Sequence, residues 1–161
     1  DLVRSRGLGD VYKRQGMRGM VGGQMIDMES EGKTLSGAEI TRLQALKTGR
    51  LIQYAAEAGA ILGRAPTAQR QAIIAYGRDL GAAFQIYDDV LDETATAEEM
   101  GKTAGKDAAS GKATMVAVLG LERARAQAER LAEQAAAHLE SFGERAALLQ
   151  ALARFTVSRK S

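Results

Sequence analysis

A helical period of apolar residues in the middle of the chain limits its fold more than any other feature. Between residues 73 and 91, apolar side chains recur at intervals of three and four, which is the repeat of one helix face. They are Ile73, Tyr76, Leu80, Ala83, Phe84, Tyr87 and Leu91. Because these residues cover much of the circumference, we predict a helix over residues 68–93 that is central to the fold rather than peripheral.

Helix-start and helix-stop residues predict that the rest of the chain is helical as well. Ser36 and Glu39 have the S-x-x-E spacing of a capping box, so they start a long helix over residues 37–62 that Gly63 and Pro66 end. The other predicted elements are a short helix over 16–29, a loop with at most one helical turn over 94–113, and helices over 113–142 and 144–157. The fold class is therefore all-α, with helices long enough to pack as a bundle.

The composition supports helix and narrows the possible chemistry. Aromatic residues are 4% of the chain and there is one proline, a mix that favours helix over sheet. The absence of cysteine excludes disulfides, a thiolate metal site and a cysteine nucleophile, and it fits a reducing compartment. Since His138 is the one histidine, a histidine metal site or a histidine-containing triad is implausible.

The charge balance gives no indication of a nucleic-acid partner. The net charge is +2, but residues 1–15 contain four basic and two acidic side chains, so the remainder is neutral. Those first residues follow no helical or strand period, and they are either foreign to the fold, such as a cloning scar, or an ordinary flexible terminus. No apolar run is long enough to span a bilayer and no secretory signal is present, so we expect a cytoplasmic protein.

A cluster of acids near the end of the predicted central helix is the first candidate site. Gln85, Asp88, Asp89 and Asp92 share one helix face, and Asp88 and Asp92, one turn apart, can bind a hard divalent cation through oxygen. An exposed acidic patch without function is the alternative, because like charges at this spacing cost only about 0.2–0.5 kcal/mol. The apolar flanks favour a metal site, since acids at the edge of a core require cations. We expect the helix to end just after Asp92.

Lysines follow the acids on a glycine-rich stretch. Lys102, Lys106 and Lys112 can meet phosphate oxygens as point charges, although an ordinary solvated loop has the same composition. Lys47 lies within an apolar helix beside Thr48, where the pair offers a charge and a hydroxyl; its alternative is an amine that extends to the surface.

The short N-terminal helix carries two polar residues among glycines and methionines. Gln24 and Asp27 are three residues apart, so they either point into the same cavity or form an ordinary polar face. We expect the glycines where a neighbouring helix or a ligand comes very close. The methionines are expected to fill a core rather than to form a ligand surface, and they are Met17, Met20, Met25 and Met28.

These stretches together resemble the trans-isoprenyl diphosphate synthases, most closely the bacterial farnesyl diphosphate synthase type. GMVGGQMIDM (19–28) is similar to the family's Gly-Gly-Gln-x-x-Asp helix, and LKTGRLI (46–52) to its Lys-Thr helix. GAAFQIYDDVLD (81–92) is similar to its second aspartate-rich motif, and GKTAGKDAASGKAT (101–114) to the loop that follows. Four motifs in order are a specific match, which implies the C-terminal half of an isoprenoid-synthase-type helical bundle over residues 16–161.

The resemblance implies a Mg²⁺-dependent prenyltransferase that condenses an allylic diphosphate with isopentenyl diphosphate to farnesyl or geranylgeranyl diphosphate. It implies Asp88, Asp92 and, through water, Asp107 as metal ligands, with Asp89 in support. The residues that the resemblance assigns to the diphosphate or to the walls of its site are Lys47, Thr48, Lys102, Lys112, Phe84, Gln85, Gln24 and Asp27. Lys106 falls on a variable position of the family and is left out.

The chain departs from the family pattern in one large respect. The family's first aspartate-rich motif belongs upstream of Gly16, and no such motif occurs here. We therefore expect a fragment that is inactive by itself, with exposed apolar faces, and, as in the family, a homodimer. Two alternatives stay open: a non-catalytic subunit that modulates an active partner, and a plain helical interaction module.

Overall fold

In the computed structural model, all regular structure in the described part of the chain, residues 14–99 and 114–159 without the side chains of 96–99, is helical. The helices are α1 (Met20–Glu29), α2 (Gly37–Gln44), α3 (Arg50–Leu62), α4 (Thr67–Glu99), α5 (Met115–Leu119), α6 (Leu121–Ala137) and α7 (Ala147–Thr156). A π-helical turn, Ala45–Gly49, joins α2 to α3, and a 3₁₀ segment, Glu140–Ala146, precedes α7. The predicted all-α fold class is confirmed.

Helix α4 is the centre of the fold, as the apolar period predicts. Tyr76 and Leu80 are buried against α6, where Ala135, Ala136 and Leu139 complete the cluster. Further along, Ile86, Tyr87 and Val90 form a second cluster with Val116 on α5 and alanines of α6. The alanines that α6 buries completely are Ala124, Ala128, Ala132 and Ala135. Because the side chains along this one face of α6 are small, α6 lies close to α4 from Ala124 to Ala135.

Glycines bring the backbones of α3 and α4 into direct contact. A methyl group built on Gly77 lies 2.9 Å from Gln53 Cα, and one built on Gly81 lies 2.9 Å from Gly49 Cα. Both separations are shorter than real side chains make, so only glycine fits at these two positions. The spacing of four residues places both on one face of α4, which is the face that the π turn and α3 cover.

Several predicted boundaries are wrong for local reasons. The helix predicted over 37–62 is continuous but changes to π geometry at Ala45–Gly49, where the chain packs on α4. Residues 94–99, predicted as the start of a loop, belong to α4, which continues to Glu99. The helix predicted over 113–142 is broken at Gly120, whose φ of 81° is left-handed and stops α5 before α6 begins.

Apolar side chains on α1 and α7 are exposed, as expected. On α7, Leu148 is 81% and Phe155 60% exposed. The prediction that the methionines fill a core is wrong, since Met17 is 87% and Met28 60% exposed. The side of α1 that packs is instead its glycine side, where Gly23 is buried. Among the described residues, no helix is long and apolar enough to cross a membrane.

Candidate functional site

The three acids lie inside α4, not at its end. Because α4 continues past Asp92 to Glu99, the helix terminus expected just after Asp92 is not there, and the acids do not oppose the dipole of a helix end. Asp88 and Asp89 are half-buried and Asp92 is exposed. The acid turn, Asp88 to Asp92, therefore runs from the core of the bundle towards solvent.

Asp89 is the most enclosed of the three and is held from two other helices. Gln44 donates from Nε2 to Asp89 Oδ2 at 2.8 Å, and the backbone N–H of Met115 donates to the same oxygen at 3.0 Å. Burial, together with the neighbouring charges of Asp88 and Asp92, raises the pKa of Asp89 to about 6 against the lowering effect of these two donors. This carboxyl therefore ties α2, α4 and α5 together.

Asp88 faces a residue that the sequence does not single out. Arg159 donates from Nη2 to Asp88 Oδ1 at 2.8 Å, and its guanidinium lies 4.2 Å above the centre of the Phe84 ring. The Arg159 side chain is only 20% exposed, and its Nε atom is buried without a hydrogen-bond partner. Since the two residues are 71 positions apart, no local pattern indicates this contact.

Lys47 lies on the π turn and is held by Asp27. Its Nζ atom is 2.6 Å from Asp27 Oδ2, which joins the turn to α1. A methyl group built on Gly23 lies 2.5 Å from Lys47 N, so α1 approaches the turn as closely as two backbones can. The expected close approach of a neighbouring segment is confirmed at Gly23, and Asp27 contacts Lys47, the cation that the sequence singles out.

The remaining predicted residues fall into two groups. Thr48, Gln85 and Phe84 are half-buried, whereas Gln24 is exposed, so Gln24 and Asp27 differ in surroundings. The π turn packs along α4 between two contacts. Gln44, just before the turn, bonds to Asp89, and Gly49, at its end, faces Gly81, so Lys47 and Thr48 lie between these two contacts. The candidates outside the described residues are Lys102, Lys106, Asp107 and Lys112.

The carboxylates of the described residues can hold magnesium only if a bound phosphate supplies further oxygen ligands. Within the described ranges, no group of three or more His, Cys, Asp or Glu side chains forms a metal cluster. Mg²⁺ is, however, commonly held by one or two carboxylates together with substrate phosphates and water. Asp88 and Asp92, one turn apart on α4, supply two such carboxylates, so the residues fit a magnesium–phosphate complex better than a free ion.

An apolar groove adjoins the acid turn. It has a volume of about 480 Å³ and lies between α3, α4 and α7. Phe84 and Arg159 belong to its lining, together with apolar side chains such as Ile52, Leu80 and Leu152. Phe84 and Arg159, which contact each other next to Asp88, therefore lie at the boundary between the acid turn and the apolar groove.

The described part of the chain is an all-α bundle, and comparison with known proteins shows its family. The family profile described as polyprenyl synthetase matches residues 10–152. The chain belongs to the polyprenyl synthetase family.

Relatives of known name agree with this. The chain is 38% identical over 157 residues to the farnesyl diphosphate synthase of Geobacillus stearothermophilus, which covers 98% of this chain and 53% of that protein. It is 40% identical over 148 residues to the heterodimeric geranylgeranyl pyrophosphate synthase large subunit 2 of Arabidopsis thaliana, covering 89% and 39%. The chain thus spans about half, or less, of the length of these relatives.

Solved structures show the same fold. An apo FPP/GFPP synthase from Zymomonas mobilis superposes with a TM-score of 0.81 at 42% identity, over 96% of this chain and 51% of that one. A geranyltransferase from Helicobacter pylori, complexed with magnesium and isoprenyl diphosphate, superposes with a TM-score of 0.74 at 29% identity, over 96% and 50%. The helical bundle is therefore that of the isoprenyl diphosphate synthases.

Proposed function

We propose that this chain carries part of the diphosphate site of a trans-prenyltransferase. The reaction is the condensation of an allylic diphosphate with isopentenyl diphosphate to farnesyl or geranylgeranyl diphosphate. The observation that carries the proposal is the position of Asp88 and Asp92 on one face of the central helix, against which the π turn that carries Lys47 packs. The names of the relatives supply the substrate class.

Asp88 and Asp92 would hold Mg²⁺, with Asp107 as a further ligand through water and Asp89 in support. When bound, the metal supplies Lewis-acid stabilisation of the charge that develops on the departing diphosphate. By holding the metal, the two carboxylates would also orient that diphosphate relative to α4. This division of roles is consistent with the surroundings of the acids: Asp92 is exposed, and Asp89 is already bonded to two donors.

Lysines would bind the same diphosphate. Lys47 is held by Asp27 at 2.6 Å, and such a fixed ammonium stabilises developing negative charge without having to reorganise. Lys102 and Lys112 would add two further cations, and Thr48 and Gln85 would donate hydrogen bonds. Asp27 acts on the diphosphate through Lys47, and we place Gln24 with it, at the edge of the site.

The apolar part of the substrate requires an apolar wall. Phe84 lies one turn before Asp88 and lines the groove between α3, α4 and α7. We propose that it contacts the isopentenyl group or the growing prenyl chain. Residues 16–161 would then form the C-terminal half of a synthase that acts as a homodimer in the cytoplasm, and the 161-residue chain by itself would show no turnover.

Ligand binding tests this proposal directly. By saturation-transfer NMR, geranyl diphosphate should bind the 161-residue chain in the presence of MgCl₂ and be released by EDTA. Geranyl monophosphate is the matched control, since it has the same prenyl group but cannot bridge the metal to the lysines. Equal binding of the two ligands, or binding of geranyl diphosphate that EDTA leaves unchanged, would contradict the proposal.

A further inference from the structure

Gln44 is a buried polar residue for which the proposed function has no role. It is the last residue of α2, it is only 8% exposed, and it continues the apolar face that Ile40 and Leu43 bury. An uncompensated amide at such a position is costly. Its Nε2 atom donates to Asp89 Oδ2 at 2.8 Å, so Asp89 compensates it.

The same carboxyl oxygen of Asp89 also accepts the backbone N–H of Met115 at 3.0 Å. Two donors from two helices on one oxygen fix the direction of this carboxyl, which is turned towards α2 and the start of α5. Asp88, the next residue, instead pairs with Arg159. Neighbouring acids on α4 are therefore turned to different partners, and Gln44 supplies one of the two bonds that hold Asp89.

Gln44 is also the residue immediately before the π turn. That turn begins at Ala45 and carries Lys47, which Asp27 holds at 2.6 Å from the other side. The turn ends at Gly49, against Gly81 of α4. The Gln44–Asp89 bond is thus the polar contact at one end of the turn, and backbone packing is the contact at the other.

We propose that Gln44 is a positioning residue of the diphosphate site. By holding Asp89 towards α2 and α5, it fixes the rotation of the acid turn and the start of the π turn relative to each other. Asp88 and Asp92 are then directed to the metal while Lys47 stays within reach of the same diphosphate. Its effect on binding rests on the proposed function; its hold on Asp89 does not.

The test is the Gln44→Met variant, which keeps the length of the side chain and loses the donor. Calorimetry with inorganic diphosphate and Mg²⁺ should show binding weakened by about tenfold, since a hydrogen bond to a charged group is lost. The urea midpoint should fall by no more than the loss of that one hydrogen bond, because methionine suits a buried site and Asp89 keeps its bond to Met115. In the Asp89→Leu background, the same substitution should have no further effect on binding. Gln134→Met, at an exposed position on α6, is the matched control.

Two readouts separate the possible failures. Hydrogen exchange of the Met115 amide, measured by NMR without ligand, should speed up in Gln44→Met, since the carboxyl that accepts it is no longer held. Unchanged Met115 exchange would overturn the positioning role whether or not diphosphate binds. A wild-type chain that binds no diphosphate would overturn the proposed function alone. Equal loss of binding in Gln44→Met with and without Asp89 would overturn the claim that Gln44 acts through Asp89.

Discussion

Three acids within five residues of α4 have three different surroundings. Asp89 is bonded to Gln44 and to the backbone of Met115, Asp88 is paired with Arg159, and Asp92 is exposed. The partners come from distant parts of the chain, and each sets a different electrostatic environment. Residues with the same chemistry are therefore held by different contacts within one turn of α4.

Asp89 should make the stability of the metal-free chain depend on pH. Its pKa is raised to about 6 in the folded chain, chiefly by burial, so its contribution is fully present below its unfolded pKa and is lost as the pH rises through about 6. Asp89→Asn keeps the acceptor oxygen and removes this titration. At pH 7 the variant should be more stable than the wild type, by up to about 2 kcal/mol, and at pH 4 nearly equal.

Urea denaturation at the two pH values, with EDTA present, measures this difference. Asp89→Asn compared with the wild type isolates one carboxyl, because every other titrating group is common to both chains. A stability difference that is the same at pH 4 and pH 7 would be inconsistent with a raised pKa for Asp89.

Arg159 should compete with magnesium for Asp88. The pair at 2.8 Å must separate before Asp88 can accept a metal, so Arg159→Gln should strengthen Mg²⁺-dependent binding of inorganic diphosphate. Partly exposed ion pairs contribute little, which sets the expected gain at about twofold to fivefold. Calorimetry measures it, with Arg154→Gln as control because Arg154 pairs with Glu133 outside the site. Weaker binding in Arg159→Gln would mean that the guanidinium contacts the diphosphate instead.

At the scale of single residues, the sequence predicts candidate site residues but not the side chains that they contact. Helical spacing alone places Asp88 and Asp92 on one face, but it does not indicate that Asp27 pairs with Lys47. Gln44 has a detectable signature, a polar residue at an apolar position of α2, which the sequence reasoning missed. Arg159 has none, since its contact with Asp88 depends on how α7 returns to α4.

At the scale of the helices, close backbone contacts set the positions of the site residues. Gly23 touches the backbone of Lys47, Gly81 that of Gly49, and Gly77 that of Gln53. The π turn lies where these contacts converge, and π turns are frequent at functional sites. Glycine composition predicts close approach in general, whereas the change from α to π geometry depends on packing against α4 and has no local signature in the sequence.

Two glycine substitutions should have opposite effects on stability. Gly77→Ala places a methyl group 2.9 Å from Gln53 Cα, so the two helices must separate, and we expect a loss of about 1–3 kcal/mol. Gly59 lies within α3 with nothing within 4 Å of an added methyl, so Gly59→Ala should gain about 0.5–1 kcal/mol from helix propensity. Thermal denaturation followed by circular dichroism compares them. Equal changes in the two variants would argue against direct contact between α3 and α4.

At the scale of the whole molecule, α4 is the helix against which α2, α3, α5, α6, α7 and the π turn all pack. Asp79 of α4 is 7% exposed and forms a hydrogen bond of 2.8 Å with Nε2 of His138, the residue that follows α6. It also accepts a hydrogen bond of 2.8 Å from Nε of Arg78, its neighbour on α4. The apolar period predicts the central helix and its core, because burial dictates that pattern. The break at Gly120 has a local signature, a glycine with left-handed φ, which the sequence reasoning missed, whereas the change to π geometry at Ala45–Gly49 has none.

Asp79 should stabilise the bundle in the opposite pH range from Asp89. Burial raises the pKa of Asp79, but the hydrogen bonds with Arg78 and His138 outweigh it, and the net pKa is lowered. Its contribution is therefore present above its unfolded pKa and is lost as the pH falls through the folded value. Asp79→Asn should cost about 1–3 kcal/mol at pH 7, and less in acid. Urea denaturation at pH 7 and pH 3 checks this, and a cost that grows in acid would contradict it.

The most direct measurement of the central claim is calorimetric titration of inorganic diphosphate, with and without Mg²⁺, into the wild type, Asp88→Asn, Asp92→Asn and Glu93→Gln. Glu93 is exposed on the same helix, next to Asp92 but off the shared face, so its substitution makes the same change in charge. We predict that the two aspartate variants each lose Mg²⁺-dependent binding by about tenfold or more, whereas Glu93→Gln retains it. Equal binding by all four chains would contradict the assignment of the acid turn to a metal-bound diphosphate.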